Sequence, residues 1–417
     1  MAGRLLIYAP VPLAMIDGVL HLEDQACDGL RLWAANFDHV TAIMPLTTAL
    51  PGPSWVPLSA RPGLERVSLE PVPMAYRPDR FLFHLPATRR RIAALIEDAD
   101  YLSFAIGGLF GDWGAVACVE AHRMKRPYAV WTDRVESRVM REAGTAGSWR
   151  SRLRAALTWR PAAMLERAVI RRAALGLFHG RETFDVYAPY CAIPAVVHDI
   201  HVDAADHISR LELEAKKSAT ADRPLSIVYA GRAEFMKGPM DWIDVLTRLR
   251  DDGVDFRATW IGDGSMQAAM QSRIENCGLS GRVVLPGPAP HDDVLRAFRK
   301  ADVLLFCHKT PESPRCLIEA LISGCPIVGY DSAFPRDLIA AHGGGSLSPK
   351  DDVAALARTV ARLAGDRAEL AQLIDRAARD GAPFTEIAVF RHRSDLIKAH
   401  LAPSPDAAIQ RVQLRCA

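Results

Sequence analysis

Two stretches of this chain combine residue types that hold phosphate and hydroxyl groups. The first, Val228-Tyr229-Ala230-Gly231-Arg232-Ala233-Glu234-Phe235-Met236-Lys237-Gly238, closes an apolar strand on a small residue and follows it with an arginine and a lysine. A guanidinium and an ammonium converging on one diphosphate neutralise the charge that builds on it as a leaving group, and Gly238 permits a tight approach of backbone. The second runs from Thr310 to Pro326. There Ser313 is a good N-cap, Pro314 suits the first helical position, and Gly324 followed by Pro326 marks the helix end. A helix starting at Pro314, directly after an apolar strand at Val303–Cys307, points its free N–H groups around Arg315, Cys316 and Leu317 toward the carboxyl ends of the strands, and its positive dipole end with them. Such an end is a seat for a diphosphate. Glu319 in the second turn and Glu312 just before the cap are placed to hydrogen-bond the hydroxyls of a ribose and a sugar.

Two further strands end in glycine turns, at Trp260-Ile261-Gly262-Asp263-Gly264 and at Leu285-Pro286-Gly287. Each alone is an ordinary turn, but together they set four successive strand ends around one pocket, as a nucleotide lying over a sheet requires. In the first half, Gly107-Gly108-Leu109-Phe110-Gly111-Asp112-Trp113-Gly114 follows a strand and opens a helix without forming a GxGxxG fingerprint. Its backbone is expected to line a cleft opposite the donor. A basic aromatic stretch, Trp149-Arg150-Ser151-Arg152-Leu153-Arg154 with Trp159-Arg160, Arg167, Arg171 and Arg172, forms either a solvated basic face or one that rests on anionic lipid headgroups.

The elements that must position these residues alternate between short apolar strands and longer helical stretches, the pattern of parallel sheets covered by helices. The chain has 417 residues, more than one hydrophobic core usually organises, so two domains are expected. In the first half the strands are Leu5–Ala9, Val40–Met44, Tyr101–Ile106, Tyr128–Trp131 and Gly176–Phe178, with helices near 22–35, 87–97, 113–123 and 150–173. In the second they are Ser226–Ala230, Arg257–Ile261, Val283–Leu285, Val303–Cys307 and Pro326–Tyr330, each followed by a helix. The predicted organisation is a Rossmann-like domain over 1–200, a polar linker over 201–224 and a second Rossmann-like domain over 225–384. A helix over 385–401 packs back across the cleft, and 402–417 forms a tail.

Composition restricts the function classes. Apolar residues make up 49% and charged residues 24% of the chain, and the net charge is +2, an ordinary balance for a globular enzyme that does not point to nucleic acid. The eight cysteines show no metal-ligand spacing and read as small buried residues of a reducing compartment. Arg4 with Leu5-Leu6-Ile7-Tyr8-Ala9 is shaped like the start of a secretory signal. Pro10 and Pro12 interrupt it and no small-residue cleavage site follows, so a first buried strand is expected. No segment reaches the roughly 18 to 20 apolar residues that span a bilayer. A cytoplasmic protein, soluble or peripheral on the cytoplasmic face of the membrane, is expected.

These blocks resemble the large retaining nucleotide-sugar glycosyltransferase family called group 1 or family 4, whose fold is GT-B. The resemblance covers roughly 225–345 and is carried by Gly231-Arg232 with Lys237-Gly238, by Gly262-Asp263-Gly264, by Leu285-Pro286-Gly287, and by Glu312 through Glu-Ala-Leu to Gly324-Cys325-Pro326, in the family's order. It implies an α/β fold of two Rossmann-like doubly wound domains facing across a cleft. It also implies a UDP- or GDP-linked sugar as donor, a glycan or lipid-linked saccharide as acceptor, and retention at the anomeric carbon. Arg232 and Lys237 would bind the donor diphosphate, Glu319 the ribose and Glu312 the transferred sugar. Six residues separate Glu312 from Glu319, one fewer than is usual in the family, and Pro311 occupies the matching position. Asp133 lies where the family commonly places a His or Asp near the reacting sugar. Gly18 and His21 lie where it often has an acceptor loop, here without a glycine pair. No cofactor is implied, and no metal: an acidic DxD pair is missing, and Arg232, Lys237 and the helix end supply the positive charge a divalent ion supplies elsewhere. Three other readings stay open. For an NAD-dependent oxidoreductase, Pro10-Val11-Pro12-Leu13 lacks the pyrophosphate glycines. A catalytically silent nucleotide-sugar-binding protein is suggested by the altered glutamate spacing, and a nucleotide-sugar epimerase is the third.

Overall fold

A computed structural model describes residues 3–48, 55–58, 61–143, 149–220, 223–310 and 312–401. Pro311 and the tail read over 402–417 lie outside them. The chain divides into two compact units, Met1–His201 with Glu386–Ala417, and Val202–Thr385.

Unit 1 is built on ten strands: β1 (Arg4–Tyr8), β2 (Leu13–Ile16), β3 (Val19–Glu23), β4 (His39–Thr47), β5 (Trp55–Pro57), β6 (Val67–Pro73), β7 (Tyr101–Ala105), β8 (Ala129–Thr132), β9 (Leu175–His179) and β10 (Pro194–Val197). Seven of them run parallel in the order β6-β4-β1-β7-β8-β9-β10. Every residue of β7 and β9 is buried, as a parallel sheet covered on both faces demands. The order reverses between β4 and β7 about β1, the switch point at whose carboxyl side open α/β sheets bind ligands.

The segment after β1 departs from the expected loop. Here β2 pairs with the end of β4, Leu13 opposite Leu46, and turns back as β3, which pairs antiparallel with β2 and β5. Asp17 and Gly18 both have positive φ, 49° and 78°, the conformation that an Asp-Gly pair gives a two-residue hairpin. Leu13, Ala14 and Leu22 are buried. The helix expected near 87–97 is also longer, Pro78–Asp98. Pro86 stands inside this helix, where it removes one backbone donor, and Phe81 on the preceding turns packs 5.0 Å from Trp113. The Glu386–His400 helix belongs to unit 1. Its Phe390 meets Trp33 edge to face at 5.2 Å, and Lys398 donates to the Asn36 carbonyl at 2.6 Å.

Unit 2 has six parallel strands, β11 (Leu225–Ala230), β12 (Phe256–Ile261), β13 (Val283–Gly287), β14 (Val303–Phe306), β15 (Ile327–Tyr330) and β16 (Gly345–Ser348), in the order β13-β12-β11-β14-β15-β16. This is the doubly wound order, with its switch point between β11 and β14. Trp242, Trp260, Tyr229 and Phe298 fill its core.

The polar stretch 201–224 is not a linker. It contains the Arg210–Ala219 helix, capped reciprocally by Ser209 and Glu212, and from Val202 onward it is part of unit 2. The lysine and glutamate content that reads as linker is one face of that helix. On the other, Lys216 is buried and donates to the Phe298 and Ser323 carbonyls at 3.0 and 3.3 Å, at the ends of two neighbouring helices.

Candidate functional site

The loops that leave β11 and β12 are stitched together at their carboxyl ends. Gly231 donates to the Ile261 carbonyl at 2.9 Å, Ala233 to the Asp263 carbonyl at 2.7 Å, and Gly262 to the Gly287 carbonyl at 2.9 Å. Gly262 has φ 131°, and a Cβ there would stand 2.3 Å from the Gly231 carbonyl oxygen, so only glycine lets these two loops lie this close. Gly264 follows in the same contact, against Ala233. Pro286 and Gly287 do not form a turn after the strand as expected. They are its last residues, because Gly287 at φ 86° still pairs with Ile261.

From this base Arg232 projects exposed and makes no ion pair among the described residues. Lys237 is held differently. It closes the short Phe235–Lys237 turn, and Gly238, at φ 66°, brings the backbone against β14, where a Cβ would meet the Cys307 carbonyl oxygen at 1.9 Å. That contact sets the Lys237 side chain, 11% exposed, with Nζ 2.8 Å from Glu312 Oε1. The pair is an ion pair rather than a hydrogen bond, since this buried oxygen has no donor of suitable geometry.

His308, immediately past β14, completes the cluster. Its Nδ1 lies 3.7 Å from the same Glu312 oxygen and its Nε2 lies 2.8 Å from the Tyr229 hydroxyl. Burial, with the Lys237 charge adding to it, holds His308 well below the usual imidazole range. A neutral ring that accepts from Tyr229 at Nε2 carries its proton on Nδ1, facing Glu312. Burial likewise raises the Tyr229 hydroxyl well above its ordinary value, with Arg232 opposing that rise. His308 and Tyr229 were not singled out from the sequence. The signal available for His308 was its place directly after an apolar strand, at the same sheet edge as Glu312.

The helix is Arg315–Ile322, one residue later than read, and its cap position is Pro314, not Ser313. Ser313 precedes a proline, which disfavours helical backbone there, and Pro314 itself is extended at ψ 130°. Pro314 offers the helix no side-chain cap, and the Leu317 N–H donates to the Pro314 carbonyl at 3.2 Å. The Cys316 thiol is pushed up to about 12, chiefly by burial, with Lys237 opposing and Glu319 and Glu312 reinforcing the rise. These charges share one neighbourhood with the thiol. Glu319, in the second turn, pairs with His291, which opens the helix after β13. Oε1 lies 3.3 Å from His291 Nε2, and this bond raises the imidazole pKa. Unit 2 thus gathers Gly231, Arg232, Lys237, Gly262, Asp263, Gly264, Gly287, Glu312, Cys316 and Glu319 at the carboxyl ends of its sheet. His291 and His308 join them.

Gly107 and Gly108 follow β7 at the switch point, and Gly107 donates to Asp112 Oδ2 at 3.0 Å. Asp112 caps the Trp113–Arg123 helix through its other oxygen. The two glycines line a cavity of about 370 Å³ with Tyr8, Tyr76, Asp112 and Glu136. Burial pushes the Asp112 carboxyl up to about 6. Asp133 follows β8 and is 61% exposed, 3.9 Å from Nε2 of buried His179, whose Nδ1 accepts from the Asp199 amide at 3.0 Å. Gly18 and His21 belong to the β2–β3 hairpin. Gly18 makes the turn, and His21 stands in β3 opposite Pro57 with Nδ1 3.1 Å from the Val19 carbonyl.

Residues 212–380 match the family described as Glycosyl transferases group 1. Over 211 residues the chain is 29% identical to 2-deoxystreptamine glucosyltransferase of Streptomyces kanamyceticus, covering 49% of this chain and 54% of that one. Over 144 residues it is 31% identical to the putative colanic acid biosynthesis glycosyltransferase WcaL of Escherichia coli K12, covering 33% and 36%. The chain thus spans about half the length, or less, of the curated relatives it matches. The crystal structure of Anabaena HepE in complex with UDP aligns with a TM-score of 0.64 at 14% identity, covering 94% of this chain and 98% of that one. At that identity the likeness shows the fold, which is the two-domain α/β fold of GT-B glycosyltransferase structures.

Proposed function

From the group 1 match over residues 212–380, we propose that this chain is a retaining glycosyltransferase that moves a sugar from a UDP- or GDP-linked donor to a glycan or lipid-linked saccharide. The observation that carries the reading is the set of groups at the unit 2 switch point. Exposed Arg232, the Lys237–Glu312 pair and the uncapped start of the Arg315–Ile322 helix stand at the ends of adjacent strands. In this reading the diphosphate lies on the helix N–H groups, with Arg232 and Lys237 on its oxygens. As the glycosidic bond breaks, negative charge grows on the leaving phosphate, and the two cations with the helix end stabilise it without a divalent ion. Glu319 takes the ribose hydroxyls. Glu312, held by Lys237 with neutral His308 beside it, takes hydroxyls of the transferred sugar. On unit 1 we assign the acceptor to the cavity at Gly107 and Gly108, and to Asp133 a place beside the reacting sugar. Names of relatives, among them the colanic acid protein, support polysaccharide assembly as the setting, and a lipid-linked acceptor would bring the chain to the cytoplasmic face of a membrane.

A thermal-shift panel of nucleotide sugars tests the donor reading, since a ligand at a hundred times its Kd stabilises the fold by about 2.7 kcal/mol. A UDP- or GDP-sugar is expected to raise Tm in the native chain and to fail in Arg232→Ala. Equal shifts in both would overturn the assignment. Sugar transfer or donor hydrolysis then separates an enzyme from a silent binder.

A further inference from the structure

The Trp149–Arg172 helix runs 24 residues and has two unlike sides. One side is buried in unit 1 through Ala162, Glu166, Val169 and Ile170, with Glu166 receiving the amide and hydroxyl of Ser137 at 2.9 and 2.7 Å. The other side carries Trp149, Leu153, Leu157 and Met164, exposed by 69, 53, 66 and 72%. Their spacings of four, four and seven residues put them on one stripe. Arg152, Arg160, Arg167 and Arg171 are exposed on the same side. The helix holds seven arginines and one acid, and that acid is the buried Glu166. The preceding Glu136–Ala143 helix adds exposed Arg138 and Arg141, and Arg141 and Arg160 both lie over the Trp159 ring, at 5.8 and 5.3 Å.

A solvated helix face intersperses acids with its bases for the favourable i,i+4 pairs, and a core-facing stripe carries no exposed cations. Among the described residues of the Trp149–Arg172 helix, this face has large apolar residues and arginines with no carboxylate beside them. Water covers such apolar side chains badly, and a neutral surface leaves the guanidinium groups unmatched. An anionic bilayer satisfies both. Its headgroup and acyl boundary takes up the apolar stripe, and its phosphates match the planar guanidinium forks. We propose that this face lies flat on an anionic phospholipid surface, with Trp149, Leu153, Leu157 and Met164 inserted and the arginines on lipid phosphates. None of the described helices is long and apolar enough to cross a membrane, so attachment through this face is peripheral. Thr158 on the same helix, with Glu136 and Met140 from the one before it, lines the cavity at Gly107 and Asp112. Docking therefore sets that cavity one helix away from the lipid headgroups, within reach of a saccharide carried on a lipid. This last consequence rests on the acceptor reading above, whereas the docking does not.

Sedimentation of the full chain with phosphatidylcholine vesicles, with and without phosphatidylglycerol, tests it. Binding is expected only with phosphatidylglycerol present, together with a blue shift of tryptophan fluorescence. Leu153→Glu with Leu157→Glu, and separately Arg160→Glu with Arg167→Glu, are expected to weaken binding by about tenfold or more. The milder Leu157→Ser with Met164→Ser should weaken it too. All positions are exposed, and the nucleotide-sugar thermal shift is expected unchanged in each variant, which separates this test from the donor reading. No binding to phosphatidylglycerol vesicles would overturn the proposal. So would undiminished binding by both leucine variants, or binding to heparin equal to that to vesicles, since either marks a general polyanion surface.

Discussion

Lys237 and Glu312 face each other at 2.8 Å with their side chains only 11 and 16% exposed, while Arg232, on the same loop as Lys237, is exposed and unpaired among the described residues. Two cations assigned to one diphosphate thus have different structural duties. Replacing Lys237 by alanine leaves a largely buried carboxylate without its counter-charge, which costs stability as well as function. Replacing Arg232 removes a charge from solvent. Lys237→Ala is therefore expected to lower Tm and to slow sugar transfer by roughly 10²–10³-fold, and Arg232→Ala to slow transfer by about 10²-fold with Tm unchanged. Melting curves alongside kcat check this, and a fall in Tm for Arg232→Ala equal to that for Lys237→Ala would contradict it.

The Glu319–His291 pair would give the proposed donor binding a pH dependence. Glu319 raises the His291 pKa above 6.5, so the stability this pair contributes is full below that value and is lost as pH rises through the raised one. If ribose hydroxyls displace His291 from Glu319, the imidazole loses its proton on binding. UDP affinity is then expected to increase with pH across the window just above 6.5. Glu319→Gln, which removes the charge that raises His291, flattens that slope. Isothermal titration of UDP in buffers of different ionisation enthalpy reads the proton release directly, and uptake of a proton would refute the displacement.

Much of unit 2 was legible in the sequence because its strands are continuous apolar runs ending in glycine. Gly231, Gly262 and Gly287 sit at strand ends as expected, since close contact between adjacent loops admits little else. What failed was local chemistry that depends on distant partners. Lys216 reads as linker because its charged neighbours hide the one face of the Arg210–Ala219 helix that is buried against Phe298 and Ser323. Ser313 reads as a cap because its type is right, while the proline after it keeps it out of the helix. Asp17-Gly18 is a hairpin signal, but the strands on either side are only four and five residues long, too short to stand out by alternation. His308 acquires its setting only when β11 and β14 become neighbours across a long stretch of chain, and no local pattern announces that.

Lys216 also sets an alkaline stability signature. Burial lowers its pKa from 10.5 to about 8, so between those values the unfolded chain holds a proton that the folded chain has lost. Stability from this group therefore rises with pH from about 8 to 10.5, by on the order of 3 kcal/mol, the burial cost of the ammonium being present below that window. Lys216→Met removes the titration along with two hydrogen bonds to helix-end carbonyls. The variant is expected to melt lower than the native chain by a margin that widens as pH is raised from 8 to 10. A margin that stays constant would show that the lysine keeps its proton in the fold across this window.

Asp112 behaves in the opposite sense, at the unit 1 cavity. Burial raises its carboxyl from 3.8 to about 6, against hydrogen bonds from the Ala115 and Gly107 amides that favour the charged form. Between those values the folded chain holds a proton that the unfolded chain has released, so stability from this group falls as pH rises from about 4 to 6, by on the order of 3 kcal/mol. Asp112→Asn keeps an acceptor for the helix cap and abolishes the titration. The variant is expected to melt below the native chain at pH 4, where one amide hydrogen bond has been lost, and to gain on it steadily up to pH 6. Above that the carboxylate in the native cavity is charged. If the acceptor sits against Gly107 and Asp112, native KM for acceptor is expected to change across pH 5 to 7 and that of Asp112→Asn to stay level. A change of KM with pH that persists in the variant would place the acceptor elsewhere.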